Sequence, residues 1–203
     1  MLIKRTRSCL RIVLFSVLCV GAPACTPSMP STAALSAAPT SAVTDLNGRA
    51  VDPFAANDKR ATVLLFITND CPISNAYAPE VKRLCDAYMP KRVDFYLVYA
   101  DPALNAADAR KHYLDYGYKC SALLDPKHIL ARKAGATVTP EAAVFLADGR
   151  EVYRGRINDL YVDYGKARFA PTTNDLRDVL ELIAQDRAVQ ERTTVAVGCH
   201  IPD

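Results

Sequence analysis

The sequence contains no Cys-x-x-Cys pair, no Cys-x-x-Cys-His stretch and no paired metal-knuckle spacing. These absences exclude the usual covalent haem attachment, a zinc knuckle and a two-cysteine redox motif held in one loop. Internal repeats are also missing, which excludes solenoid arrays. No acidic residue precedes Asp45, and the apolar run from Ile12 to Val20 is too short to span a bilayer as a permanent helix.

What is present at the N-terminus has an order of its own. Lys4, Arg5, Arg7 and Arg11 come first, then the apolar run, then Gly21-Ala22-Pro23-Ala24 before Cys25. That is the layout of a secretory signal peptide, so residues 1–24 are expected to be removed and the protein exported. Two processing routes fit. Ala24-Cys25 followed by a Ser/Thr/Pro/Ala stretch resembles a bacterial lipoprotein site, which would put a lipid on Cys25 and attach the protein to a membrane. Ala22-Pro23-Ala24 equally suits ordinary cleavage and a free periplasmic form. Residues 25–42 lack charge and aromatic rings after Cys25 and read as a disordered tether.

Processing changes the charge balance. The chain has 25 Lys+Arg and 22 Asp+Glu, and four of the basic residues lie within 1–24, which leaves 21 against 22, a net of −1. The apparent basicity belongs to the signal, so nucleic-acid binding loses its electrostatic support. Residues 43–188 are expected to form one domain, and 189–203 an extended C-terminal tail. Of seven cysteines, Cys71, Cys85, Cys120 and Cys199 remain beyond the tether. Four cysteines allow three complete pairings, between which sequence does not choose.

Ala61 to Thr68 is a continuous apolar, β-branched run, the pattern of a strand buried on both faces. Helical spacing follows from Ser74 to Tyr88, with Pro72 suited to the first turn and Pro79 predicting a kink or break near Ala78. Arg92–Ala100 reads as a strand, Asn105–Tyr116 as a helix, Ser121–Leu124 as a strand and His128–Ala134 as a short helix. Asp148-Gly149 marks a hairpin between Glu141–Ala147 and Glu151–Arg154, and Thr172–Ala184 an amphipathic helix. A small hairpin around Asn47-Gly48 precedes them. The alternation implies an α/β fold, a central mixed sheet with helices on both faces.

Three segments carry a family resemblance: Phe66-Ile67-Thr68-Asn69-Asp70-Cys71-Pro72-Ile73-Ser74-Asn75, Val138-Thr139-Pro140-Glu141-Ala142, and Tyr153-Arg154-Gly155-Arg156. With the element order, they resemble the thioredoxin superfamily and, within it, the redoxin group that includes alkyl-hydroperoxide-reductase and thiol-specific-antioxidant domains. The resemblance implies a thiol oxidoreductase, either a peroxidase or a disulfide exchanger. No cofactor follows from it. Its partners would be a small peroxide or a protein thiol or disulfide, with an external thiol as reductant.

Cys71 is the candidate nucleophile. It stands at a helix start, where free N–H groups and the helix dipole favour a thiolate, in an Asn-Asp turn expected to be exposed. Thioredoxins carry a second cysteine three residues on; Ser74 stands there, positioned either to donate to the Cys71 thiolate or to cap the helix. Peroxiredoxins place a Thr or Ser three residues before the reactive cysteine, which Thr68 matches, and a Pro four residues before that, where Leu64 stands. Thr139-Pro140 matches the loop that the superfamily holds in the cis form beside the cysteine. There Pro72, Val138, Thr139 and Pro140 would contact substrate, the Val138 backbone pairing with an extended chain.

The β-prone tail carries Cys199 directly after Gly198 and is expected to fold back, making Cys199 the resolving thiol. Cys85 and Cys120 read as core cysteines, His112 and His128 as surface or packing residues. The polar, aromatic segment 154–171 reads as a structured insertion near the active face with an internal Arg–Asp pair. Two other classes compete: a Sco-like copper protein using Cys71, Cys199 and His200, and a redox-silent binding module on the same fold.

Overall fold

The structure, a computed structural model, describes residues 43–203. The signal segment, the tether and Cys25 lie outside the described residues.

The buried run forms the central strand β2 (Ala61–Ile67), every residue of which is buried. On one side it pairs in parallel with β3 (Val93–Tyr99), on the other antiparallel with β6 (Glu141–Leu146). Strand β1 (Thr44–Asp45), part of the small N-terminal hairpin, lies against β4 (Ser121–Leu124), and β7 (Glu151–Gly155) completes the Asp148-Gly149 hairpin. The seven-stranded sheet runs β1-β4-β3-β2-β6-β7-β10, with β10 (Arg192–Thr193) supplied by the tail and parallel to β7. It is the mixed sheet of a thioredoxin-like α/β fold.

Strand alternation sends Val63, Leu65 and Ile67 to one face and Leu64 and Phe66 to the other, into two separate apolar clusters. The first cluster packs helices α2 (Ala78–Tyr88), α3 (Ala106–Asp115) and α5 (Asp175–Ala184), and the second packs α4 (Ile129–Ala134). Burying each such large side chain contributes about 1.5–3 kcal/mol, so this strand anchors both layers.

Pro79 acts as its position predicts. Helix α1 (Pro72–Ala76) stops at Tyr77, and α2 starts at Ala78. The last helix starts at Asp175 and not at Thr172; the N–H groups of Thr172 and Thr173 are bound by the Asp159 carboxylate. The 154–171 segment contains a hairpin, β8 (Tyr161–Asp163) with β9 (Lys166–Ala167), and an Arg168–Asp159 ion pair at 3.3 Å.

Candidate active site

Cys71 follows the end of β2 and is the N-cap residue of α1. Its backbone is extended, and its sulfur accepts the Ser74 N–H at 3.4 Å. Thus the cap is Cys71 itself. Ser74 takes neither of the roles expected of its hydroxyl: its Oγ accepts the Thr68 N–H at 3.4 Å, tying the helix back to the strand end. The Thr68 hydroxyl in turn donates to Asp70 at 2.9 Å.

The expected exposure of Cys71 is corrected. The residue is 1% exposed, although Asp70 and Pro72 on either side are open to solvent. What covers it comes from far along the chain. Strand β5 (Val138–Thr139) brings the Thr139 carbonyl oxygen to 3.3 Å from the Cys71 sulfur, and Thr139-Pro140 is a cis peptide. The tail then lays β11 (Cys199–His200) antiparallel on β5, Cys199 opposite Thr139 and His200 opposite Val138. Cys71 and Cys199 are joined in a disulfide, their Cα atoms 6.0 Å apart.

This pairing also corrects the expectation that the Val138 backbone is free for an extended substrate. The protein's own tail occupies that edge. Gly198 permits the approach, since a Cβ there would collide with the Thr139 carbonyl.

The tail is rooted before it reaches the site. The Thr194 N–H donates to the Arg154 carbonyl at 2.9 Å and its hydroxyl meets Tyr153 Oη at 2.7 Å. Here too a glycine is required, because a side chain at Gly155, with φ +139°, would strike Thr194. Asp175, nearly buried, holds Arg156 at 2.8 Å and Arg192 at 3.5 Å. Sequence reading missed these anchors, and the one local signal was the pair of glycines beside the sheet-forming residues.

Beside the disulfide is a pocket of about 180 Å³, lined among others by Asp70, Pro72, Asp101, Tyr164, Cys199 and His200. Tyr164 comes from the 154–171 insertion, which therefore reaches the active face. Cys199 lines this pocket and is half-buried, whereas Cys71 does not line it. Among the described residues no group of three or more potential metal ligands occurs. Of the copper set, both sulfurs are spent in the disulfide and the exposed His200 stands in β11.

His112 is a buried residue. The Asn75 side chain donates to the Asn69 carbonyl at 2.9 Å, so its oxygen accepts from His112 Nε2 at 2.8 Å. Nδ1 is then left to accept from Tyr99 Oη at 2.7 Å, and one neutral tautomer satisfies the chain. Burial pulls the imidazole below its ordinary range, with Asp115 opposing.

A family model for Redoxin matches residues 33–161. Among solved structures, the chain is similar to an uncharacterised conserved protein from Geobacillus kaustophilus, with 28% identity, a TM-score of 0.69, and 82% of this chain and 89% of that one covered. A hypothetical protein from Sinorhizobium meliloti 1021 shares the fold at 22% identity and a TM-score of 0.68, over 78% and 88% of the two chains. A secreted disulfide oxidoreductase from Mycobacterium tuberculosis is more distant, at 19% identity, a TM-score of 0.49 and coverage of 71% and 93%. No curated protein matches the sequence.

Proposed function

The chain belongs to the Redoxin family, and from that premise we propose that it is an exported thiol–disulfide exchange protein whose disulfide is opened through Cys199. One observation carries the reading. The two residues of the disulfide are unequal: Cys199 is half-buried and lines the pocket, whereas Cys71 is buried and does not line it.

An external thiolate approaching through the pocket meets Cys199 first. Its lone pair forms a new S–S bond to Cys199 while the Cys71–Cys199 bond breaks, and the electron pair leaves on Cys71. A departing thiolate there is met by the Ser74 N–H, and charge-assisted hydrogen bonds of this kind favour the leaving group with the lower pKa. A second thiol attacks the mixed disulfide and releases Cys199 as thiolate. The sum is one protein disulfide and two thiols converted to one protein dithiol and one external disulfide. With a client dithiol supplying both thiols, these steps oxidise the client; their reversal reduces a client disulfide and restores the Cys71–Cys199 bond.

Freeing Cys199 also frees β11, and the Val138–Thr139 edge then becomes available to an extended client polypeptide. Pro72 and Pro140 would border that groove, in keeping with their assignment as contact residues. Exchange is favoured over peroxide reduction by Thr68, whose hydroxyl donates to Asp70 and not to the Cys71 sulfur. Export rests on the signal-like order of residues 1–24, and lipid attachment on Cys25.

The test is where the first bond forms. Oxidised protein is mixed with substoichiometric reduced glutathione, quenched in acid, then alkylated with excess N-ethylmaleimide in denaturant and mapped by mass spectrometry. Glutathione on Cys199 with maleimide on Cys71 is the expected pattern. The reverse pattern overturns the assignment of the attacked sulfur, and rapid sulfenic acid formation at Cys71 with hydrogen peroxide returns the protein to the peroxidase class.

A further inference from the structure

Two cysteines take no part in this chemistry. Cys85 lies on α2, the helix after the Cys71 loop, and Cys120 directly precedes β4. They are 35 residues apart in sequence, and each is 1% exposed within the larger apolar cluster, among Tyr88, Tyr99 and Tyr118. Their sulfur atoms are 2.7 Å apart. Both cysteines are free thiols in this structure, placed so that only a small side-chain movement separates them from the about 2.05 Å of a covalent S–S bond. Cys85 sits on α2 and Cys120 in the bend adjoining β4, and both are buried among packed core residues. The donor set around them is too small for a metal ion, since no third ligating side chain joins them.

We infer that Cys85 and Cys120 form a second, structural disulfide that staples α2 to the start of β4. The step balances with a small-molecule disulfide as oxidant: the two thiols lose two protons and two electrons, one S–S bond forms, and the oxidant leaves as two thiols. It takes place while the chain folds, because in the finished domain neither sulfur is open to an external thiolate. An exported chain meets such oxidants, and Cys71 and Cys199 are already in the oxidised state here. The two disulfides then have separate duties, one exchangeable at the pocket and one sealed in the core.

The full-length chain is reduced in denaturant and refolded in a buffer of reduced and oxidised glutathione until the Cys71–Cys199 link is complete. It is then alkylated in denaturant without reduction and mapped. A Cys85–Cys120 linked peptide is expected. It should outlast the Cys71–Cys199 link by about tenfold or more when the native protein is treated with dithiothreitol, as buried disulfides are withheld from attack. The same linked peptide should appear in refolded Cys199→Ser, where the exchangeable bond cannot form. Separate alkylation of Cys85 and Cys120 in both proteins overturns the inference, as does a Cys71–Cys85 or Cys120–Cys199 link.

Discussion

The two sulfur pairs of this domain occupy opposite surroundings. Cys71 and Cys199 meet at the rim, one capping α1 and the other on a tail strand, with a pocket of mixed polar and apolar lining beside Cys199. Cys85 and Cys120 meet inside the core, where, while they are reduced, the hydrogen bond between them and then burial push the Cys85 thiol up. A thiol so held stays protonated and is no nucleophile. On the proposed reading, reactivity follows not from cysteine as such but from whether one sulfur can be reached while the other can leave.

The largest break in that contrast is Cys199→Ser. It should abolish catalysed exchange with a dithiol reductant, a loss of at least about a hundredfold. Closure of so long a loop is worth about 5 kcal/mol in chain-entropy terms. The difference in melting temperature between oxidised and reduced wild-type protein should therefore disappear in the variant, as calorimetry would read. If oxidised Cys199→Ser still melts higher than its reduced form, the rim disulfide is not the source of the stabilisation.

Gly198→Val acts on the same pair through the backbone. A side chain at 198 must collide with the Thr139 carbonyl, so β11 cannot seat on β5 in register. Overpacking of this kind costs about 1–3 kcal/mol, and here only the oxidised state bears it. The rim disulfide should become roughly tenfold or more easier to reduce in a glutathione redox titration. The Cys85–Cys120 pair should be untouched, and a variant that titrates like wild type would show that the tail does not need this close approach.

Asp175→Ala loosens the root of the tail and not its tip. It leaves Arg156 and Arg192 without their shared carboxylate. Both arginines are partly exposed, so the expected cost is about 1–2 kcal/mol, below that of breaking a fully buried pair. Urea denaturation of the reduced protein measures it. An unchanged midpoint would mean that β10 is held by its pairing with β7 alone.

Legibility in the sequence divides along the same line. The central strand, the hairpin at Asp148-Gly149 and the break at Pro79 were readable because each is dictated by residues within a few positions. So was Cys71 as a helix-start residue. Its burial was not, because the cover is supplied by Thr139 and Cys199, 68 and 128 positions away. Nor was the contact just before α5 readable, where the Asp159 carboxylate, 13 and 14 positions away, binds the Thr172 and Thr173 N–H groups. Local pattern fixed which elements exist, while tertiary cover decided which side of each is reactive.

The smallest effect expected concerns the link between the two regions. His112 lies in the tyrosine-rich core and donates to Asn75 on α1, which in turn holds the Asn69 carbonyl before Cys71. Burial lowers its pKa in the folded protein, against about 6.5 in an unfolded chain. The unfolded state therefore binds more protons between the folded value and 6.5, and stability must rise with pH through that window. It is complete above about 6.5 and is lost as pH falls toward the folded value. The reduced protein should accordingly show a lower urea midpoint at pH 5.5 than at pH 7.5. His112→Gln keeps a donor for Asn75 but cannot titrate, so it should flatten this dependence at some constant cost from imperfect packing. The same variant should leave reduction of the rim disulfide pH-dependent, because thiolate formation by the attacking reductant does not involve the imidazole. If the midpoint still falls between pH 7.5 and 5.5 in His112→Gln, another group carries the acid sensitivity. If disulfide reduction instead loses its pH dependence, the core histidine acts on the rim sulfur through Asn75, and the separation of the two regions is not complete.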